Sequence, residues 1–541
     1  MYILGINGGF RQGYQDVSTC LVCDGEVIAA VEEERISRIK FSAGKLPYTS
    51  VLEVLKLGNI SIKDVDLVAF HGSTWGDDFD EKIKTYFSNH FGYVPPVKRY
   101  HHHDCHAAGT FYSSGFKESL IVTMDYSGDG VSLQIAIGKD NKIVTIKRFE
   151  RPQSLGLFYS LITQYCGFTK DSEEYKLMGL AAFGDKYAYD FSWLLSFSNG
   201  EYQLNIDYIE IPAPKAPSPH RDEMNYNQKF IEKMGQPKRI PNSSISQFYK
   251  DVAASAQFQL EKTVLHILDH YTQTTGISNV CLSGGVALNC LMNQKLMNAN
   301  GIDHLFIQPA STDAGISMGA AWLGSIDLGK LPKAPLNAFL GNEFNEEAIE
   351  STLRICGINY KKENNFVELA AADLAQGKVI AWYQGRMEFG PRALGNRSIL
   401  ANPCLPNMQQ LVNQKIKFRE SFRPFGASVL IEDKALFFEG KANAAPYMTL
   451  VFDVKKNKAD TIPAVVHADG TCRIQTVSEQ DNSLFHNLIQ AFKQQSGVGV
   501  LLNTSFNLNH EPIVNTPREA IASFFSSGLD VLYLGYYRIE K

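Results

Sequence analysis

A strand–loop–hairpin grammar occurs twice before residue 150, and it restricts the fold more than any other feature of the chain. The first copy is the apolar strand YILGIN, the Gly-rich loop GGFRQGYQD and the hairpin STCLVCDGEVIAAVEEE around Asp24-Gly25. The second is SLIVTMD, the turn YSGDG and the hairpin VSLQIAIGKDNKIVTIKRF. Each copy sets an aspartate beside a Gly-rich turn, Asp16 in the first and Asp125 in the second. Later, ISNVCLSGGVALNCLMNQKLM reads as a strand, a Gly-Gly turn and a helix. HLFIQPASTDAGISMGAAWLG then brings a strand up to Asp313 and into a helix of small residues. Strands alternating with helices over 541 residues argue for an α/β protein of two or three domains.

The period weakens in LGKLPKAPLNAFLGNEFN, so a junction is expected near residues 330–360, dividing the chain into 1–345 and 346–541. IEIPAPKAPSPHRDEMNYNQ is read as a Pro-rich surface excursion. SISQFYKDVAASAQFQLEKTVLHILDHYTQ has the apolar spacing of a long amphipathic helix, with His266 and His270 on an ordinary face of it. The formal charge is 52 − 57 = −5, which disfavours a general nucleic-acid or membrane-surface binder. No segment has the roughly 20 apolar residues of a membrane span, and the N-terminus has no signal-peptide pattern, so a cytoplasmic protein is expected. The nine cysteines give no disulfide framework, and Cys20 and Cys23 of STCLVCDG read as part of a strand.

Two constellations carry chemistry. In HHHDCHAAGTFYSSGF, His102 and His106 are four apart, so a helix presents both imidazoles on one side. With the strand-end carboxylates Asp125 and Asp313 they make a donor set suited to a divalent transition metal such as iron, manganese or zinc. A solvated histidine loop is the alternative. The second constellation is cationic within an acidic chain. GRMEFGPRALGNRSILANP supplies Arg386, Glu388, Arg392, Asn396, Arg397 and Ser398, and VNQKIKFRESFRPFGASVL supplies Lys415, Lys417, Arg419, Glu420 and Arg423. HADGTCRIQTV adds His467 and Arg473, and LLNTSFNLNHEPIV adds Asn503, Ser505, Asn507 and Glu511. Guanidinium groups match phosphate and carboxyl oxygens, and lysine adds a mobile point charge. The alternative is a set of surface ion pairs, against which stand the buried-type Phe and Leu in the same segments. Gly284-Gly285 either lets main-chain N–H groups approach a phosphate or nucleotide, or is a plain strand-to-helix turn.

The duplicated hairpin unit resembles the actin, sugar-kinase and Hsp70 ATPase superfamily. Over nearly its whole length the chain resembles the O-carbamoyltransferases, which include nodulation protein U and the cephalosporin and tobramycin carbamoyltransferases. The blocks that carry the resemblance are HHDCHA, EEYKLMGLAAFG, LSGGVALNC, GRMEFGPRALGNRSIL, KFRESFRPF, HADGTCRIQT and LLNTSFN. It implies an N-terminal actin-like (ASKHA) carbamoyl-transfer domain and a C-terminal YrdC-like domain. The latter would bind carbamoyl phosphate and ATP, with Mg²⁺ as companion, and form carbamoyl adenylate. The former would pass the carbamoyl group to a small-molecule hydroxyl beside iron or another divalent ion. His102, His106, Asp125 and Asp313 match the metal site. Arg392, Lys417, Arg423, Arg473, Ser505 and Asn503 match the phosphate and carbamoyl site, and Gly284, Gly285 and Asn289 the nucleotide contacts. Lys417, Arg392, Arg423 and His102 are the expected catalytic groups. A homodimer is plausible by the same resemblance. The alternatives are carbamoyl transfer to a tRNA base or a protein cysteine, and a silent nucleotide-binding scaffold. The chain departs from the family pattern at Gln15 and Phe41, where histidine is usual, and at Gly426.

Overall fold

The computed structural model describes residues 1–10, 16–76, 78–211, 224–335 and 337–541. Gln15 and residues 212–223 of the Pro-rich segment lie outside the described residues. The chain forms two compact units of mixed α/β structure. The first comprises 1–27, 43–48 and 60–334, and the second 28–42, 49–59 and 335–541. The last boundary between the units lies at Ala334/Pro335. Residues 28–42, which include most of the second strand of the first hairpin, belong to the second unit and share hydrogen bonds with it. Arg38 donates to the carbonyls of Pro512 (2.8 Å) and Ile513 (2.7 Å), and Arg386 donates to the Ile28 carbonyl (3.0 Å).

The repeated grammar becomes two sheets of one plan. β1 (Tyr2–Asn7), β2 (Ser18–Cys23), β3 (Glu26–Glu32), β4 (Val65–His71) and β5 (Val97–Tyr100) are ordered β3-β2-β1-β4-β5. β1 runs antiparallel to β2 and parallel to β4. β6 (Glu118–Gly128), β7 (Val131–Lys139) and β8 (Lys142–Glu150) form the matching meander. On its other flank β6 is parallel to strand Asn279–Ser283, which is parallel to His304–Ile307. In both sheets the central strand thus has a hairpin on one side and two parallel strands on the other. Cys20 and Cys23 lie on β2, and the described cysteines are free.

Helix His102–Ser114 packs against helix Ile316–Asp327, which also covers β1 and β4. The approach of the two helices leaves no room for a side chain at Gly319, where a Cβ would lie 1.8 Å from the Cys105 carbonyl oxygen. Gly319→Ala is therefore expected to force the helices apart and to lower stability by about 1–3 kcal/mol, read by denaturant unfolding. The long helix spans Gln247–Thr275 as its apolar spacing requires. On it His266 accepts from the Gly200 N–H (3.0 Å) and His270 packs on Gly200, so both serve packing. Among the described residues no helix is long and apolar enough to cross a membrane.

The second unit is built on one mixed ten-stranded sheet. Its central strands are Arg397–Ala401, Val500–Ser505, Gly426–Leu430 and Thr471–Val477. Register puts Leu400, Asn503, Gly426 and Arg473 in one row across them. Residues two apart share a face. One face of these strands therefore runs from polar to apolar along each strand: Ser505, Asn503, Leu501; Gly426, Ser428, Leu430; Arg473, Gln475, Val477. The apolar half is buried with Phe366 and Leu374 of helix Phe366–Ala375 and Phe485, Leu488 and Phe492 of helix Glu479–Ser496.

Candidate functional site

In the first unit, helix His102–Ser114 begins against the turn between β6 and β7. Asp129 Oδ2 accepts from the His102 N–H (2.8 Å) and from Ser73 N (3.2 Å), fixing the helix start. The i,i+4 spacing then sets His102 and His106 on one side. His103 points elsewhere, donating from Nε2 to the Val131 carbonyl (3.0 Å) and accepting at Nδ1 from Thr123 Oγ1 (2.6 Å). Asp125 sits where the β6–β7 register breaks, between Met124 and Gly128, and Asp313 opens a short turn capped by Thr312. His102 Nε2 lies 3.2 Å from Asp125 Oδ2 and 3.6 Å from Asp313 Oδ1. His106 Nε2 lies 3.7 Å and 3.5 Å from the same two oxygens. One ligand atom from each of the four residues lies within 4.8 Å of every other.

Both imidazoles are buried, and His106 Nε2 has no hydrogen-bond partner although its Nδ1 is held by Ser283 Oγ (3.1 Å). Burial alone would lower His106, but the Asp125 and Asp313 carboxylates outweigh it and raise the ring to about 9. Burial likewise opposes ionisation of Asp125, and His102 and His106 overcome it, holding its carboxyl well below the ordinary range. Two nitrogens and two carboxylate oxygens gathered around an unsatisfied imidazole nitrogen fit a divalent transition metal.

The Gly284-Gly285 turn adjoins this cluster. At Gly284 (φ +90°) a Cβ would collide with the Met124 carbonyl oxygen at 2.1 Å, so pairing with β6 itself requires glycine there. A Cβ on Gly285 would lie 3.3 Å from Asp125 Oδ1. Asn289 caps helix Cys290–Met297 through Met292 N and exchanges two hydrogen bonds with Gln257 (2.8 and 2.9 Å). Its amide is thus held within the fold.

In the second unit the polar half of the sheet face is covered by the loop that carries Arg392. Gln475 Nε2 donates to the Leu394 carbonyl (2.7 Å), and Asn503 Nδ2 donates to Ser428 Oγ (2.9 Å) and the Ala393 carbonyl (3.4 Å). Ser398 Oγ accepts from Gly395 N (3.1 Å). Glu388 Oε1 accepts from the N–H groups of Leu394, Asn396 and Arg397 (2.9, 2.9 and 3.1 Å), drawing the loop into a closed turn. Arg397 is fully buried, stacked over Tyr383 at 3.6 Å and bonded to main-chain carbonyls, so it serves the scaffold.

Lys417 ends a π-helical turn, Asn413–Lys417, and is buried. It donates to the carbonyl and hydroxyl of Ser505 and to the carbonyl (3.0 Å) and Oδ1 (2.7 Å) of Asn507, all neutral oxygens. Burial, reinforced by Arg419, Arg423 and Lys40, pushes this amine well below the usual lysine value. Arg473 shares a row with Asn503, and its buried Nε has no hydrogen-bond partner. Beside it, burial drops the His467 ring to about 4, and the neutral ring donates from Nε2 to the Phe425 carbonyl (3.2 Å). The structure thus gathers Lys417, Arg423 and Ser505, sets Asn503 and Arg473 in one row, and brings the residue after Arg392 onto Asn503.

Several residues of these sites escaped the sequence reading. Ser283 and Asp129 support the histidines from other elements. Ser428 and Gln475 stand out only as polar residues inside apolar strands. Lys40 comes from the first hairpin's continuation. It is held by Glu34 (3.4 Å), whose other oxygen accepts from the N–H of Phe41 (2.6 Å), a non-glycine residue at φ +59°.

Residues 89–322 match the family described as Carbamoyltransferase N-terminus, and residues 371–541 match Carbamoyltransferase C-terminus. Nodulation protein NolNO of Sinorhizobium fredii is 36% identical over 100% of this chain and 83% of its own length. Nodulation protein NolO of Bradyrhizobium diazoefficiens is 38% identical over 81% of this chain and 78% of its own. The 3'-hydroxymethylcephem-O-carbamoyltransferase of Amycolatopsis lactamdurans is 31% identical over 68% of this chain and 65% of its own. With both family halves matched in order and a relative aligned along the whole of this chain, the protein belongs to the carbamoyltransferase family and is an enzyme that transfers carbamoyl groups.

Proposed function

We propose that the second unit makes carbamoyl adenylate from carbamoyl phosphate and ATP, and that the carbamoyl group then passes to a hydroxyl of a small-molecule acceptor at the first unit's histidine–aspartate cluster. The observation that carries the reading is Lys417. A buried amine facing neutral oxygens, whose surroundings of Arg419, Arg423, Lys40 and the Glu511 carboxylate on balance disfavour the ammonium, is favoured as a cation by added negative charge. Polyanionic reactants supply it. On this reading the first unit, with its doubled sheet plan, is an actin-like ATPase domain and the second is YrdC-like.

Atom balance fixes the activation step. Carbamoyl phosphate, ATP and water give carbamoyl adenylate, pyrophosphate and phosphate. Water releases carbamate and phosphate, a carbamate oxygen attacks the α-phosphorus of ATP, and the bond to the β-phosphate oxygen breaks. Arg392, Lys417, Arg423 and Arg473 hold phosphoryl oxygens as charge moves onto them, Ser505 and Asn503 orient the carbamoyl group, and Mg²⁺ accompanies ATP. In transfer the acceptor oxygen attacks the carbamoyl carbon and AMP leaves. A divalent ion held by His102, His106, Asp125 and Asp313, iron by family resemblance, would supply Lewis-acid polarisation there. Ser283 fixes the His106 ring and Asp129 the start of the histidine helix. The name of the Amycolatopsis relative specifies a hydroxymethyl acceptor, which supports a small-molecule alcohol here.

Incubation with carbamoyl phosphate, ATP and Mg²⁺ is expected to yield pyrophosphate and an AMP adduct, and to support exchange of labelled pyrophosphate into ATP. A panel of hydroxylated acceptors is expected to show one product heavier by a carbamoyl group. Absence of any carbamoyl-phosphate-dependent pyrophosphate would overturn the activation assignment. Label from carbamoyl phosphate appearing in bulk tRNA would overturn the small-molecule acceptor.

A further inference from the structure

The loop that presents Arg392 is fastened at its start by residues from the opposite end of the sequence. Glu32 Oε1 accepts from the Gly390 N–H (2.7 Å), and Arg35 Nη2 donates to the Gly390 carbonyl (2.8 Å). Both side chains are buried, and they pair with each other across one helical turn. Gly390 adopts φ +120°, a conformation open to glycine, and Pro391 then directs the chain into Arg392. Both polar groups of Gly390 are thus gripped by an ion pair that is itself held, since Arg35 also meets Glu34 Oε1 (2.9 Å). Beyond Arg392 the grip is different: Glu388, Gln475, Asn503 and Ser398 hold residues 393–397.

We infer that Glu32 and Arg35 are positioning residues that set the trajectory of Arg392 by clamping Gly390. The inference rests on the proposed role of Arg392 in binding the phosphorylated reactants. A general stabilising role for the buried pair would lower the melting temperature and affect every function of the unit alike. A clamp acts through Arg392, so its loss weakens the binding that Arg392 supplies and adds little once Arg392 is gone.

The test uses the full chain with Glu32→Ala, Glu32→Gln, Arg35→Ala and Arg35→Lys, each alone and with Arg392→Ala. In carbamoyl-phosphate-dependent pyrophosphate exchange, Glu32→Ala and Arg35→Ala are expected to raise KM for carbamoyl phosphate about tenfold or more, with a smaller change in kcat. Glu32→Gln keeps an oxygen for the Gly390 N–H and is expected to stay within about threefold of the parent. In the Arg392→Ala background the clamp substitutions are expected to add under about twofold. Hydrogen exchange supplies a readout independent of activity. Amides of the 390–395 loop lose protection in Arg35→Lys, which serves if Arg35→Ala does not fold, while helix Glu479–Ser496 keeps its own. Losses that multiply fully with Arg392→Ala, or loop exchange unchanged in every clamp variant, overturn the inference. Absence of exchange activity in the parent, or full activity in Arg392→Ala, overturns the proposed function, and the loop amides then still decide whether the clamp exists.

Discussion

Exchanging Lys417 for methionine is expected to lower carbamoyl-phosphate-dependent pyrophosphate formation by about 10³-fold or more, while the protein still folds. Methionine keeps an unbranched stem of similar volume in a buried position, so the change removes charge more than packing. What goes is the buried amine in contact with Ser505, on the strand that carries Asn503, and with Asn507 just beyond it. Its depressed pKa gives two further readouts. Burial with Arg419, Arg423 and Lys40 nearby disfavours the proton, so binding a polyanion restores the ammonium and takes up a proton. Calorimetry of carbamoyl phosphate binding in buffers of different ionisation enthalpy should show that uptake in the parent and its loss in the variant. The second readout is stability. Lys417 has a folded pKa below the roughly 10.4 of an unfolded lysine, so between these values the unfolded chain binds more protons and stability rises with pH. The Lys417 contribution is fully present above the unfolded value and is lost as pH falls through the folded one. Lys417→Met should flatten this slope. A variant that keeps pyrophosphate formation, or the same proton uptake, shows that the amine does not meet the reactants.

The sequence carried the chemistry of both sites more fully than their supports, and the reason is geometric. The i,i+4 spacing of His102 and His106 predicts a common helix face, and two strand-end aspartates predict carboxylates nearby. Helix and sheet periodicity are local, so such features survive without tertiary information. The same holds for the long helix through His266 and for the doubled hairpin unit. Register across a sheet is not local. No period in LLNTS, GASVL or RIQTV says that Asn503, Gly426 and Arg473 fall in one row and Leu501, Ser428 and Gln475 in the next, yet that register sets Asn503 and Gln475 where they bond the Arg392 loop. The charged run EEERISRIKF, read within a hairpin of the first domain, gives up its place there because Glu32, Arg35 and Arg38 each find main-chain partners in the second unit. Composition along the chain gives no sign that each compact unit is assembled from three separate stretches. Asn289 shows how much a local motif leaves out. Its cap on the following helix is local and legible, whereas its two hydrogen bonds with Gln257, 32 residues earlier, are not.

Removal of a ligand from the histidine–aspartate cluster should separate the two halves of the reaction. His106→Ala and Asp313→Asn are expected to reduce bound divalent metal from about one ion per chain to under about a tenth, measured by elemental analysis after purification. Carbamoylated acceptor should fall by about 10³-fold or more, whereas pyrophosphate exchange should stay within about twofold of the parent. The division follows from where the groups lie. The four ligand residues belong to the first unit, and Lys417, Arg423, Arg473, Asn503 and Ser505 belong to the second. Asp313→Asn is the more telling change because it preserves shape and removes one of the two carboxylates that, among the described residues, meet both buried imidazoles. Ser283→Ala gives a graded control. It leaves all four ligands in place but frees the His106 ring at Nδ1, and is expected to weaken metal affinity by about 10–100-fold. If Asp313→Asn retained a full complement of metal, or lost pyrophosphate exchange together with transfer, the cluster would not be the transfer site. An ordered series, parent above Ser283→Ala above Asp313→Asn in metal content and in transfer alike, with pyrophosphate exchange level throughout, ties the ion to the second chemical step and leaves the first to the cations around Lys417.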